Sequence, residues 1–258
     1  MTDSGDELLA PARDRPAPRS WPTARDRFLR VVVRFLTGAW VRVRVEGAER
    51  LPPGPAVLCF NHQSWADPFV IAAGLPEAPV LYFFGPREAD MRIGWRNRFL
   101  DWTQRCVPYR PAKDDLLTVT RRVERVLAAG ARMAIAPEGR IHVGESVLLP
   151  LEEGAVFLAL RSRVPLVPVA INGMGWLRFG GRVRLRVGEP IVVAGRPTKQ
   201  AVAEATHRLA AALLALTADW PDAPPPGRFS RWLTEVFNDW PEGTRPPQPP
   251  RGQRPEGT

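Results

Sequence analysis

One histidine and one aspartate, separated by four residues, stand in the run Phe60-Asn61-His62-Gln63-Ser64-Trp65-Ala66-Asp67-Pro68. An imidazole with an unperturbed pKa of about 6.5 accepts a proton at neutral pH, and a nearby carboxylate fixes its tautomer and stabilises its cation. On a continuous helix these two positions would diverge; across a strand-loop-helix corner they converge. The apolar run 56–60 before the histidine and Pro68, a favoured first-turn residue, predict such a corner. The competing reading is a loop histidine, with Asp67 capping the helix that follows.

Three further segments accompany this one in a fixed order. They are Val107-Pro108-Tyr109-Arg110, Ala136-Pro137-Glu138-Gly139-Arg140 and Val164-Pro165-Leu166-Val167-Pro168-Val169. Together with Asn-His-x-Ser-Trp-x-Asp they resemble the four motifs of the glycerolipid acyltransferase family, which includes lysophosphatidic acid acyltransferases, over roughly residues 25–195. The resemblance implies a His-Asp general-base mechanism. His62 would deprotonate the free hydroxyl of a lysophospholipid, lysophosphatidic acid above all, and Asp67 would orient the imidazole. The hydroxyl would attack an acyl-CoA or acyl-carrier-protein thioester, a co-substrate, with no other cofactor required.

The same resemblance makes Arg110 and Arg140 candidates to hold the acceptor phosphate, since a guanidinium offers planar paired donors. Glu138 would accept from a glycerol hydroxyl, with Gly139 allowing close backbone approach. Each arginine has the alternative of a solvated surface charge, and Glu138-Gly139 that of a turn after a strand. The third motif departs from the common Pro-Glu-Gly-Thr-Arg, because Arg140 follows Gly139 directly. That departure keeps a different acceptor open, such as lysophosphatidylethanolamine or a lyso-aminolipid. His142 could line the acceptor site, whereas His207 reads as structural. Three scattered histidines predict no metal site, and Gly180, Gly181 and Gly188 match no nucleotide-binding loop.

The elements that must position these residues follow from hydrophobic periodicity. Strands are expected at 41–46, 56–60, 80–84, 105–109, 132–136 and 166–171, and helices at 23–39, from Pro68, near 93–103, 114–128, 151–162 and 198–217. Strand and helix alternate, which predicts an α/β fold with a mostly parallel or mixed central sheet covered by helices. Segments 182–187 and 190–193, flanking Gly188-Glu189, read as a hairpin or a pair of edge strands.

Two segments are amphipathic. In 23–39, Phe28, Val31, Val32 and Phe35 share one face and Arg27, Arg30 and Arg34 another, with Trp21 and Trp40 at the ends. This suits a helix lying in an anionic membrane interface, apolar side in the acyl boundary and arginines on lipid phosphates. In 228–240, Phe229, Trp232, Leu233, Val236, Phe237 and Trp240 form one apolar face. It is expected to dock on the domain, with a second membrane or partner contact as the alternative.

Residues 1–20 read as a disordered N-terminus, 21–40 as the membrane-interface helix, 41–220 as the acyltransferase domain and 221–240 as a linker with a C-terminal amphipathic helix. The Pro-rich stretch 241–258 reads as a disordered tail. A chain of 258 residues with 45% hydrophobic and 24% charged residues carries enough apolar side chain for a real core. Its formal charge of +9, carried almost wholly by arginine beside two lysines, attracts polyanions in general. No basic-aromatic recognition motif accompanies that charge, so nucleic acid is not an expected partner. A non-catalytic lipid-binding module is a further remote reading, opposed by the His62-Asp67 pair. Two isolated cysteines exclude a disulfide scaffold. No apolar run reaches the roughly 18 residues of a membrane span, and no signal-peptide core is evident. The expected location is therefore the cytoplasmic face of a membrane, peripheral or monotopic.

Overall fold

The computed structural model describes residues 17–87, 94–109, 116–142, 147–221 and 226–238. Helix α1 (Ala24–Trp40) leads directly into β1 (Val41–Glu46). There follow β2 (Val57–Phe60), α2 (Asp67–Gly74), β3 (Leu81–Arg87), α3 (Gly94–Thr103), β4 (Cys106–Tyr109), α4 (Leu116–Ala128), β5 (Arg132–Ile135) and α5 (Gly154–Ser162). β6 (Leu166–Asn172), β7 (Gly181–Val187), α6 (Lys199–Thr217) and α7 (Arg228–Asn238) complete the strands and α-helices among the described residues.

One seven-stranded sheet has the order β1-β7-β6-β2-β5-β3-β4. Its five strands from β6 to β4 are mutually parallel. β7 pairs antiparallel with β6, and β1 runs parallel to β7. The starts of β1 and β7 therefore lie at the same end of the sheet as the carboxyl ends of the five parallel strands. In open α/β sheets, ligands gather at those carboxyl ends.

All four residues of β2 are buried, as its unbroken apolarity requires of a strand covered on both faces. Val57 and Cys59 pack with α4, α5 and α6 through Val123, Val156 and Leu209. Leu58 and Phe60 pack on the opposite face with Val70 and Ile71 of α2 and with Met174. Full burial of such side chains stabilises by about 1.5–3 kcal/mol each.

The expected partner strand at 190–193 does not form. Ile191 makes a single antiparallel bridge to Leu166, so Gly188-Glu189 is not a hairpin turn, and β7 is an interior strand. Gly188 sits too close to Pro168 for a side chain, with a notional Cβ 2.8 Å from its ring, and the chain there turns away toward α6.

Helix α1 begins with a capping box in which Thr23 and Asp26 bond each other's main-chain amides. Asp26 also meets Arg19 and Arg105. Burial pushes its carboxyl up, but the Thr23 amide and hydroxyl and Arg105 overcome this and hold it well below the ordinary carboxylate range. The segment before the helix reaches the sheet, since the Val80 amide donates to Ser20 O at 2.7 Å.

The helix docks through Leu29, Arg30, Val33 and the buried Thr37, while Phe28, Val31, Phe35 and Leu36 are 60–73% exposed. Arg30 does not join Arg27 and Arg34 at the surface. Its guanidinium turns inward to donate to Leu75 O at 2.5 Å, and burial, with Arg34 nearby, lowers its pKa.

Helix α7 divides its apolar face. Leu233 and Phe237 pack on the core, and Phe237 meets the Trp40 ring at 5.9 Å. Phe229, Trp232 and Val236 are 55–63% exposed. Trp240, Arg110, residues 1–16 and the tail 241–258 lie outside the described residues.

Candidate active site

β2 delivers its chain to a turn, residues 61–66, before α2 starts at Asp67 with Pro68 in its first turn. The turn is sewn to β6 and to the loop that follows it by the two residues flanking His62. Asn61 Nδ2 donates to Ile171 O at 2.9 Å, and the Ile171 amide returns a bond to Asn61 Oδ1 at 2.7 Å. The Met174 amide donates to Gln63 Oε1 at 3.1 Å. Both side chains are buried, where a polar group is tolerated only when bonded.

Within the turn, His62 Nδ1 lies 2.9 Å from Asp67 Oδ2. Since a carboxylate only accepts, Nδ1 carries the hydrogen, and in the neutral imidazole Nε2 then keeps a lone pair. The same Oδ2 accepts from the Gln63 amide at 2.8 Å and the Ser64 amide at 3.0 Å. Asp67 is fully buried and the His62 side chain is 22% exposed. The chain thus wraps around a fixed carboxylate and leaves one imidazole nitrogen accessible.

The segment after β5 holds His62 from the other side. Glu138 Oε1 accepts from the His62 amide at 2.9 Å, and the His142 amide donates to His62 O at 3.0 Å. Glu138 Oε2 accepts from the Leu149 amide at 2.8 Å and stands 2.7 Å from His142 Nε2. With no exposed side-chain surface and both oxygens engaged inside the protein, Glu138 is arranged to hold the histidine backbone rather than to meet a bound alcohol. His142 is likewise buried behind Glu138. Gly139 has φ +67°, a left-handed conformation that suits glycine, and it brings the chain to the rim of the site. Arg140 follows in an exposed position, and His207 is exposed on α6.

His62 opens onto a cavity of about 440 Å³, walled mainly by apolar groups that include Trp65, Phe84, Ile135 and Phe157. Tyr109 stacks on Phe84 at 5.4 Å. A base in the wall of an apolar cavity suits proton abstraction beside a bound hydrocarbon chain. Cys59 lies beneath the turn as a bystander, because burial pushes its thiol up and keeps it protonated.

His62, Asp67, Glu138 and Gly139 therefore converge, and Arg140 lies one residue beyond. Asn61, Gln63 and the His142 amide are supports that sequence reasoning left without a role. Polar residues interrupting an apolar strand end were the signal for the first two. Asn238, buried at the end of α7, accepts through Oδ1 from Ser64 Oγ at 2.8 Å and the Trp65 amide at 3.1 Å. No local sequence pattern announced that contact.

Comparison with known proteins gives the family and the fold. A family model described as Acyltransferase matches residues 42–172, just over half of the chain. The 1-acyl-sn-glycerol-3-phosphate acyltransferase of Saccharomyces cerevisiae is 27% identical over 184 residues, covering 66% of this chain and 57% of the relative. The Homo sapiens 1-acyl-sn-glycerol-3-phosphate acyltransferase alpha is 30% identical over 182 residues, covering 66% and 61%. This chain thus spans about three fifths of the length of the curated relatives it matches. The crystal structure of the 1-acyl-sn-glycerophosphate (LPA) acyltransferase from Thermotoga maritima shares the fold, with a TM-score of 0.58 and 20% identity over 76% of this chain and 83% of that one.

Proposed function

The chain belongs to the acyltransferase family, and from that premise we propose that it moves a fatty acyl group from an acyl-CoA or acyl-carrier-protein thioester to the free hydroxyl of lysophosphatidic acid, giving phosphatidic acid. The observation that carries this reading is the 2.9 Å contact of buried Asp67 with Nδ1 of His62, which lines an apolar cavity. His62 Nε2 takes the proton of the acceptor hydroxyl as its oxygen attacks the thioester carbonyl. The tetrahedral intermediate collapses with loss of the thiolate, which recovers the proton from the imidazolium. Asp67 holds the ring by Nδ1 and stabilises the cation. General-base catalysis contributes about 10²–10⁴ in rate, and holding the thioester against the hydroxyl supplies more. Arg140, with Arg110, is assigned to the acceptor phosphate, and the cavity to the acyl chain.

Thiol release measured on liposomes across a panel of lyso-lipids tests this. Release with lysophosphatidic acid is expected. A preference for lysophosphatidylethanolamine or a lyso-aminolipid would move the acceptor assignment, and no release with any glycerolipid would overturn the reading.

The protein is further proposed to work at the cytoplasmic face of an anionic membrane. No helix among the described residues is long and apolar enough to cross one. The outward stripe Phe28, Val31 and Phe35 of α1, flanked by Arg27 and Arg34, suits an interfacial position. At the catalytic end of the sheet stand the exposed Phe179 and a facing pair of arginines, Arg42 and Arg182, in register at the starts of β1 and β7. An apolar rim with arginines beside it matches an acyl boundary under anionic head groups. Flotation with anionic vesicles that weakens in high salt is expected; extraction only by detergent would show an integral protein.

A further inference from the structure

We infer that Asn238, in the last turn of α7, is a positioning residue for the turn that carries His62 and Asp67; the catalytic part of this inference rests on the acyl-transfer reading above. The inward side of α7 carries two fully or nearly fully buried polar residues four apart, Thr234 and Asn238. Such residues neither favour helix nor gain from burial unless they are bonded. Their partners explain them. Thr234 Oγ1 accepts from the Leu177 amide at 2.8 Å and donates to Ser230 O at 2.6 Å, which seats the helix against the loop after β6.

Asn238 Oδ1 then takes Ser64 Oγ and the Trp65 amide, two donors 174 and 173 residues away in sequence. Both lie between His62 and Asp67. Ser64 in turn gives its amide to Asp67 Oδ2 and accepts from the Ala66 amide at 3.2 Å, while Trp65 walls the cavity. The carboxylate of Asp67 thus grips the inside of the turn and the amide oxygen of Asn238 grips the outside. Without the outer grip, the Ser64-Trp65 peptide keeps the Asp67 amide on Ser64 O at 3.0 Å but loses the bond that fixes its N–H, and the His62 to Asp67 contact is held less tightly.

The test is Asn238→Ala and Asn238→Asp in the full chain, read by steady-state thiol release and by the low-field Nδ1–H proton signal of His62 without substrate. Misplacing a catalytic group by about 1 Å costs up to ~100-fold. The alanine variant should lose about 10–100-fold in kcat with KM for the thioester nearly unchanged, and its Nδ1–H signal should broaden or vanish. The aspartate variant keeps the accepting oxygen and should recover most of the rate and the signal. Ser64→Ala removes one donor from the other side and should be non-additive with Asn238→Ala; it also serves if Asn238→Ala does not fold. A signal that responds to Asn238 in a chain that releases no thiol supports the positioning and defeats the acyl-transfer reading alone. Wild-type kcat and signal in the alanine variant, or an aspartate variant as impaired as alanine, would overturn the inference.

Discussion

The carboxylate of Glu138 accepts from the main-chain amide of His62 at 2.9 Å, bridging 76 residues of sequence. With its second oxygen on Leu149, it ties the backbone of the proposed base to the segment after β5. Glu138→Gln replaces one accepting oxygen by a donor, which cannot serve both amides. We expect kcat to fall and stability to drop by about 1–3 kcal/mol, with KM for the lyso-acceptor little changed. A rise confined to acceptor KM would instead mean that the carboxylate meets the acceptor hydroxyl.

His62→Ala should lower turnover by about 10²–10⁴-fold while leaving the far-UV circular dichroism intact, because the side chain is partly exposed on a turn and fills no core position. Asp67→Asn should lower kcat more than it raises KM, as loss of transition-state stabilisation requires. Its amide oxygen can occupy the place of Oδ2 and keep the bonds from His62, Gln63 and Ser64, so the fold should be retained and the loss should fall on kcat. Near-normal turnover in either variant refutes the pair.

The two sides of α1 predict opposite behaviour for neighbouring arginines. Arg30→Ala removes the inward bond to Leu75 O and should cost about 1 kcal/mol in stability, discounted for its partial exposure, with little loss of vesicle binding. Arg27→Glu and Arg34→Glu should leave stability almost unchanged and reduce flotation with anionic vesicles. Phe28→Ser and Phe35→Ser should reduce flotation at every salt concentration, since the apolar contribution is not screened.

Asp26 makes the seating of α1 acid-sensitive. Its folded carboxyl is held below the ordinary value by Thr23 and Arg105 against the opposing effect of burial, so its contribution is complete above an unfolded pKa of about 3.9 and is lost as pH falls below it. The stability gap between wild type and Asp26→Asn, followed by thermal melting, should be constant from neutral pH down to about pH 5 and close below pH 4. A gap that persists unchanged in acid would show that the carboxylate charge does not contribute.

The sequence by itself determined what short-range chemistry can encode. Strand, turn and helix around His62 follow from an unbroken apolar run, a polar stretch and a first-turn proline. The extent of β1 was legible from its alternation, and α6 from its apolar periodicity and Thr198 cap. The four motifs carried the family because their order is a property of the chain.

Tertiary structure alone decided which of several acceptable faces is buried. Helix α1 has apolar residues on both stripes, Leu29 and Val33 against Phe28, Val31 and Phe35, so periodicity gave no reason to choose; the free carbonyl of Leu75 and the carboxylate network at Asp26 settled it. Segment 190–193 has strand-like composition, but β2 takes one side of β6 and β7 the other from Val169 onward, which leaves only Leu166 for a single bridge to Ile191. Glu138 became a backbone support because β2 and β5 are neighbours. Asn238 became part of the site because α7 packs over the turn that β2 ends in. A hydrogen bond needs its partners about 3 Å apart, and over a separation of 174 residues only the folded packing supplies that proximity.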